Sequence, residues 1–354
     1  MKALYFYNAF FMPIRFTILA IFSFFLSCRP APDIPDLKPR ENVAYVVTGV
    51  GKTIEVIDLE SFSVVAAYDI STSSDRFPHH IYISNDRKKL AVANPAYDFS
   101  KGHMGLHGVD VPGGILLINA ATGDLEKNIP VNFANHNATF SKDDQNLLTT
   151  SFSHTGRAYI FNINNGQLKA EIILSADPSE IIVSPDGKYA AVTSGESSFL
   201  QILNLATNEL ERQIKVDLAP SNVWPGFDNI VLVSNSFRKS VNFVDLDQFS
   251  VTDFIDFDFT PGYLTYNPVS QELWVCDTEN EAIKIFKKDV VWSETNSISF
   301  SGKDPHMIKF FDENQKAILI NQKGNTAVEI DVTSKNILSE IQVGKAPNGI
   351  AISD

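Results

Sequence analysis

Residues 178–189 read Pro178-Ser-Glu-Ile-Ile-Val-Ser-Pro-Asp-Gly-Lys-Tyr189. The stretch opens on a proline and runs through three β-prone aliphatic residues. It closes on Ser-Pro-Asp-Gly, where proline sets φ and glycine supplies the unusual backbone conformation of a tight turn. Its opening segment recurs along the chain as Pro78-His-His-Ile-Tyr-Ile-Ser84, Asn135-His-Asn-Ala-Thr-Phe-Ser141 and Pro220-Ser-Asn-Val223. Pro261-Gly-Tyr-Leu-Thr-Tyr266, Pro305-His-Met-Ile-Lys-Phe310 and Pro347-Asn-Gly-Ile-Ala-Ile-Ser353 continue the series. Successive starts are 57, 43, 42, 41, 44 and 42 residues apart.

Each unit carries three more strand signals. A second follows the turn, as in Tyr189-Ala-Ala-Val-Thr-Ser194 or Leu273-Trp-Val-Cys-Asp277. A third follows that, as in Ile54-Glu-Val-Ile-Asp-Leu59 or Val241-Asn-Phe-Val-Asp-Leu246. After a polar turn such as Ala121-Thr-Gly-Asp124 comes a fourth, as in Leu210-Glu-Arg-Gln-Ile-Lys-Val216. Four short strands in a repeat of about 40–45 residues is the period of a β-propeller blade. Residues 43–70 supply only the second to fourth strands of a first blade, and Ala346–Asp354 supply only a first strand. Six full units lie between them. The reading is an all-β, seven-bladed propeller over 43–354, its first blade closed by the C-terminal strand. Closing the ring hides the sheet edges.

The chain resembles the YVTN-repeat, YncE-like propeller family. The residues that carry the likeness are Pro178 to Tyr189 and the third strands ending in Val56-Ile57-Asp58 and Val244-Asp245. It covers about nine-tenths of the chain and bears on fold rather than activity. More distantly the chain resembles the propellers of nitrous oxide reductase and cytochrome d1, which implies copper or haem on the ring axis. Blade 3 departs from the pattern, with Asn135 in place of proline.

Residues 1–27 have the form of a secretory signal. Phe16 to Leu26 is an apolar run too short to span a bilayer, and Arg15 precedes it. The run ends in Phe25-Leu26-Ser27-Cys28, which resembles a bacterial lipobox. Cys28 is therefore the expected lipidation site, and the Pro-rich stretch 28–42 a tether. The expected location is the bacterial cell envelope, on the outer membrane, with attachment through the lipid on Cys28.

The whole chain of 354 residues has 29 Lys and Arg against 42 Asp and Glu, a net charge of −13. Such a surface repels phosphate backbones, so no nucleic-acid partner is expected. With two cysteines, one of them Cys28, no disulfide framework exists. Cys276 reads as a buried core thiol.

The seven histidines carry the functional signal. In a propeller the first strand of each blade lines the central channel. His79, His136 and His306 each follow a proline or proline-like position, so they are expected to ring one channel mouth. The 57-residue spacing marks an insertion in blade 2, Pro95 to Gly113, which carries His103-Met104 and His107 and is expected to fold over the ring, so that His103 and His107 join His79, His136 and His306 as metal ligands. Long loops without secondary structure are often functional. Strand side chains alternate, so His80 is expected to point away from His79. His80, His154, Met104, Glu180 and Tyr263 are placed as supporting residues or further ligands.

Imidazoles suit zinc or copper, and a thioether adds preference for copper. Covalent haem is excluded, because Cys-x-x-Cys-His is absent. The leading functional reading is an envelope lipoprotein whose propeller binds a metal ion or metal-bearing ligand at this His-rich face. A metal-dependent enzyme, copper redox or hydrolytic, is the second. A metal-free scaffold for a small ligand or envelope protein is the third.

Overall fold

The computed structural model describes residues 40–102, 106 and 109–354. The lipidation site Cys28, the signal segment and the loop residues His103, Met104 and His107 lie outside the described residues.

Numbered in chain order, the strands run from β1 (Val43–Thr48) to β28 (Pro347–Ser353) and form seven four-stranded sheets. Six sheets take four consecutive strands each. The seventh has the order β28-β1-β2-β3, with β2 at Thr53–Asp58 and β3 at Ser63–Asp69. Val43 lies opposite Ser353 and Val46 opposite Ile350. The two ends of the repeat region thus share one blade, as the count of units requires. The innermost strands of the other blades are β4 (His79–Ile83), β8 (Ala138–Phe140), β12 (Pro178–Val183), β16 (Pro220–Pro225), β20 (Leu264–Asn267) and β24 (Pro305–Phe311). Each touches the next, and β24 touches β28, so the ring is closed.

Packing explains the sequence pattern within a blade. Second strands are buried on both faces between neighbouring blades, and Val43-Ala-Tyr-Val-Val-Thr48 is apolar almost throughout. Outermost strands such as Glu209–Lys215 are largely exposed, with Ile214 buried, and are correspondingly charged. Trp274, Tyr45 and Phe243 are among the largest fully buried side chains. Burying an aliphatic or aromatic side chain of this kind is worth about 1.5–3 kcal/mol.

The recurrent turn residues have specific duties. The Ser84, Ser141 and Ser184 hydroxyls donate to Asp86, Asp143 and Asp186 at 2.6, 2.6 and 2.7 Å. Each serine oxygen also accepts a backbone N–H five residues on, at 3.0 Å. The Asp or Asn that ends the third strand caps the outer turn: Asp58 accepts Ser61 N–H at 2.7 Å, and Asp331 accepts Ser334 N–H at 2.6 Å. In these turns the side-chain oxygen substitutes for a backbone acceptor three residues back.

Candidate metal centre

The inner strands enter the channel through a repeated β-bulge. In blade 7, Pro305 pairs with Asn321 and Met307 with Ile320, leaving His306 as the extra residue. In blade 1 the extra residue is Asn348, between Pro347 opposite Thr48 and Gly349 opposite Val47. In blade 2, His79 pairs with Ala93 and Ile81 with Val92. His80 is therefore the bulged residue, so the bulge falls one position later than in blade 7, while Ile81 opposite Val92 and Ile308 opposite Leu319 keep His79 in register with His306.

This corrects one expectation. His80 does not turn away from its neighbour. Its φ of +32° lies in the left-handed region, which non-glycine residues seldom enter. A bulge re-aims a side chain in this manner. The His79 and His80 rings stack at 4.2 Å with an interplanar angle of 25°.

One ligating atom from each of His79, His80 and His306 lies within 4.8 Å of the others. His80, His136 and Glu180 form a second, overlapping group of the same tightness. Tautomers follow from the acceptors. His79 Nδ1 lies 2.9 Å from the His136 carbonyl oxygen. A carbonyl only accepts, so Nδ1 carries the proton and Nε2 the lone pair. His136 Nδ1 donates to Glu180 at 2.6 Å. His80 Nδ1 approaches the same carboxylate at 3.2 and 3.4 Å. Metal-binding histidines characteristically have one ring nitrogen held by a carboxylate or carbonyl, which fixes the ring and raises the basicity of the other nitrogen.

Glu180 is fully buried. Burial pushes its carboxyl up, but the His80 and His136 rings outweigh burial and hold it below the usual carboxylate range. The Tyr82 hydroxyl also donates to it at 2.8 Å. Burial, then the Glu180 charge, pushes the Tyr82 hydroxyl well above its ordinary value. His79 and His136 are lowered chiefly by burial, and burial takes His306 down to about 3. Neutral imidazole is the ligating form.

A cavity of about 440 Å³ stands over the cluster. His79, His80, His136 and His306 line it, together with Phe99, Trp224, Tyr263 and Gln322. The Trp224 and Tyr263 rings pack at 4.5 Å. They also line a smaller cavity of about 270 Å³ that contains Lys309.

Several anticipated residues fall here and others do not. His79, His80, His136, His306, Glu180 and Tyr263 come together. Leu106, from the inserted loop, is buried against Phe99 and Ala134, so the described part of that loop packs beside the histidines. His154 is about half exposed and lies elsewhere, 3.9 Å from Asp177 and 3.6 Å from Glu196. Cys276 is buried, which raises its thiol well above the ordinary value. Sequence reading passed over Tyr82, Trp224, Phe99 and Gln322. Only the position of Trp224 on an innermost strand could have pointed to it.

Fold and site together define a seven-bladed β-propeller with a buried histidine–glutamate cluster at one channel mouth. No protein-family model and no curated relative matches the sequence. Solved structures share the fold at low identity. Hydrazine synthase of Kuenenia stuttgartiensis is 16% identical with a TM-score of 0.65, over 78% of this chain and 89% of that one. The periplasmic gluconolactonase PpgL of Pseudomonas aeruginosa is 14% identical with a TM-score of 0.69, over 87% and 98%. The dihydro-heme d1 dehydrogenase NirN, in complex with DHE, is 15% identical with a TM-score of 0.62, over 90% and 77%.

Proposed function

We propose that this protein is a lipid-anchored envelope propeller, of the YVTN-repeat, YncE-like kind, that binds a divalent transition-metal ion through His79, His80 and His306. His136 and Glu180 serve as the layer that orients them. The observation that carries the reading is the Glu180 carboxylate, buried with no Lys or Arg paired to it among the described residues and held by the Nδ1 atoms of two imidazoles. A buried ionised carboxylate is costly unless compensated. Its use here is to aim and enrich imidazole donors for a cation.

The donor set suits zinc or copper. Metal–nitrogen bonds of about 2.0 Å put tetrahedral ligand atoms about 3.3 Å apart. The 4.8 Å limit is within a rotamer adjustment of that arrangement. Three protein ligands leave one position, as in metal sites that take a further ligand. Lipidation of Cys28 supplies the membrane attachment. Among the described residues no helix is long and apolar enough to cross a membrane.

The test is calorimetric titration of untagged protein with zinc and copper, beside a His79→Ala/His80→Ala/His306→Ala variant. One equivalent should bind to the wild type, with a loss of at least a hundredfold in the variant. Equal affinity in a folded variant removes these residues from the site, and absence of binding in the wild type removes the metal.

A further inference from the structure

The cavity holds polar groups that the imidazole cluster does not use. Trp224 is 3% exposed, yet its Nε1–H has no hydrogen-bond partner among the described residues. Gln322 is 8% exposed, and its Nε2 also lacks one. Both side chains line the cavity that His79, His80 and His306 line. A buried donor left unpaired costs about 1–3 kcal/mol, and buried tryptophan N–H groups usually find a partner. Asn222 Oδ1, on the same wall, is an unpaired acceptor that a water or a ligand donor would serve, and the two unpaired donors beside the cluster mark a place for an acceptor.

The charges select the kind of acceptor. The two carboxylates at the cavity rim are already engaged. Asp304 pairs with Lys323 at 3.3 Å. Glu279 pairs with Lys239 at 3.5 Å and accepts Thr260 N–H at 3.1 Å. A divalent ion on neutral imidazoles, with Glu180 behind them, leaves one positive charge in a low-dielectric site. A monoanion completes that charge, and its oxygens match both the ion and the donors. Phe99 and Tyr263 supply apolar wall for a short body. Cavities of some 300–1,000 Å³ are the size that takes small molecules.

We propose that the cavity binds a small carboxylate-bearing molecule, one oxygen facing the metal position and the other accepting from Trp224 Nε1 and Gln322 Nε2. This rests on the metal reading above. The experiment loads the full protein with Co(II), whose visible bands report ligand exchange, and titrates it with propionate. A saturable spectral change is expected, with affinity about tenfold weaker in Trp224→Phe and in Gln322→Leu. Tenfold is the lower end of the loss expected for one hydrogen bond to a charged group. Gln322→Leu stands alone if Trp224→Phe fails to fold. A protein that takes up one Co(II) but gives no change with propionate overturns the carboxylate site and leaves the metal site intact. So does equal propionate affinity in the variants. Failure to take up Co(II) overturns the metal reading itself, and this inference with it.

Discussion

His136 Nδ1 lies 2.6 Å from the Glu180 carboxylate although the two residues belong to neighbouring blades. The same carboxylate meets His80 from the next blade over. One acidic side chain therefore fixes rings contributed by two other blades.

Replacing Glu180 by Gln keeps the shape and removes the charge. The amide accepts one Nδ1–H less strongly and turns its NH₂ toward the other ring. Zinc affinity should fall by about 10–100-fold, the usual cost of losing a partner that orients a ligand. Calorimetry checks it, with circular dichroism to confirm the propeller. Unchanged affinity would show that Glu180 does not serve the site.

Acid should destabilise the metal-free protein. His79, His136 and His306 are held below 6.5 in the folded state, His306 at about 3. Below pH 6.5 the unfolded chain takes up protons that the folded one refuses. Stability is therefore full above about 6.5 and falls as pH drops toward 3. Glu180 adds loss of the same sign below about 4.5. Melting temperatures from pH 7.5 to 4 should decline, and His306→Ala should flatten part of the slope. A flat profile for the wild type contradicts the buried neutral cluster.

Gly349 of β28 passes close to the site. A Cβ there would stand 2.9 Å from His80 Cα and 2.9 Å from Ile81 N. Backbone cannot yield as a flexible side chain does. Gly349→Ala should cost about 1–3 kcal/mol by overpacking and weaken zinc binding through displacement of His80. Thermal melts and zinc titration together decide it. A variant as stable as wild type, with full affinity, would show that the contact relaxes freely.

Removing Ala346–Asp354 deletes the inner strand of blade 1 and exposes the edge of β1. Soluble yield should collapse, since an unpaired central edge invites aggregation. A truncated protein that melts like the full chain would contradict the closure.

Changing Cys28 to Ser should move the protein from the membrane fraction to the soluble one. Fractionation and immunoblotting read this directly. Retention in the membrane would mean that attachment does not run through Cys28.

The fold was legible because its period is written in residues with fixed duties: the proline at the start of six of the seven inner strands, the Ser-x-Asp turn, the Asx that ends the third strand. The site was legible only to the level of a channel mouth. His79 and His306 could be aligned through Pro78 and Pro305, but a one-residue bulge shift in blade 2 carries no local sequence mark, and it brought His80 into the cluster beside His79. Alternation, sound for a regular strand, placed His80 on the wrong side for that reason. Glu180 was recognisable as a mouth residue. Its hold on His80 and His136 spans blades and depends on ring geometry that no linear spacing encodes. Trp224 and Gln322 gave no signal, because an unpaired donor exists only in three dimensions.

Blade 1 joins strands from opposite ends of the propeller sequence. Its β1–β28 pairing closes the longest loop in the ring, the kind of contact that forms late and opens early. His80 and His306 stand on the two blades that flank it. An ion held by both would act as a latch across this seam, because a ligand that binds only the folded state adds its binding energy to stability. Loss of the ion would then show first as faster amide exchange in Val43–Thr48 and Pro347–Ser353, while blades on the far side of the ring stay protected.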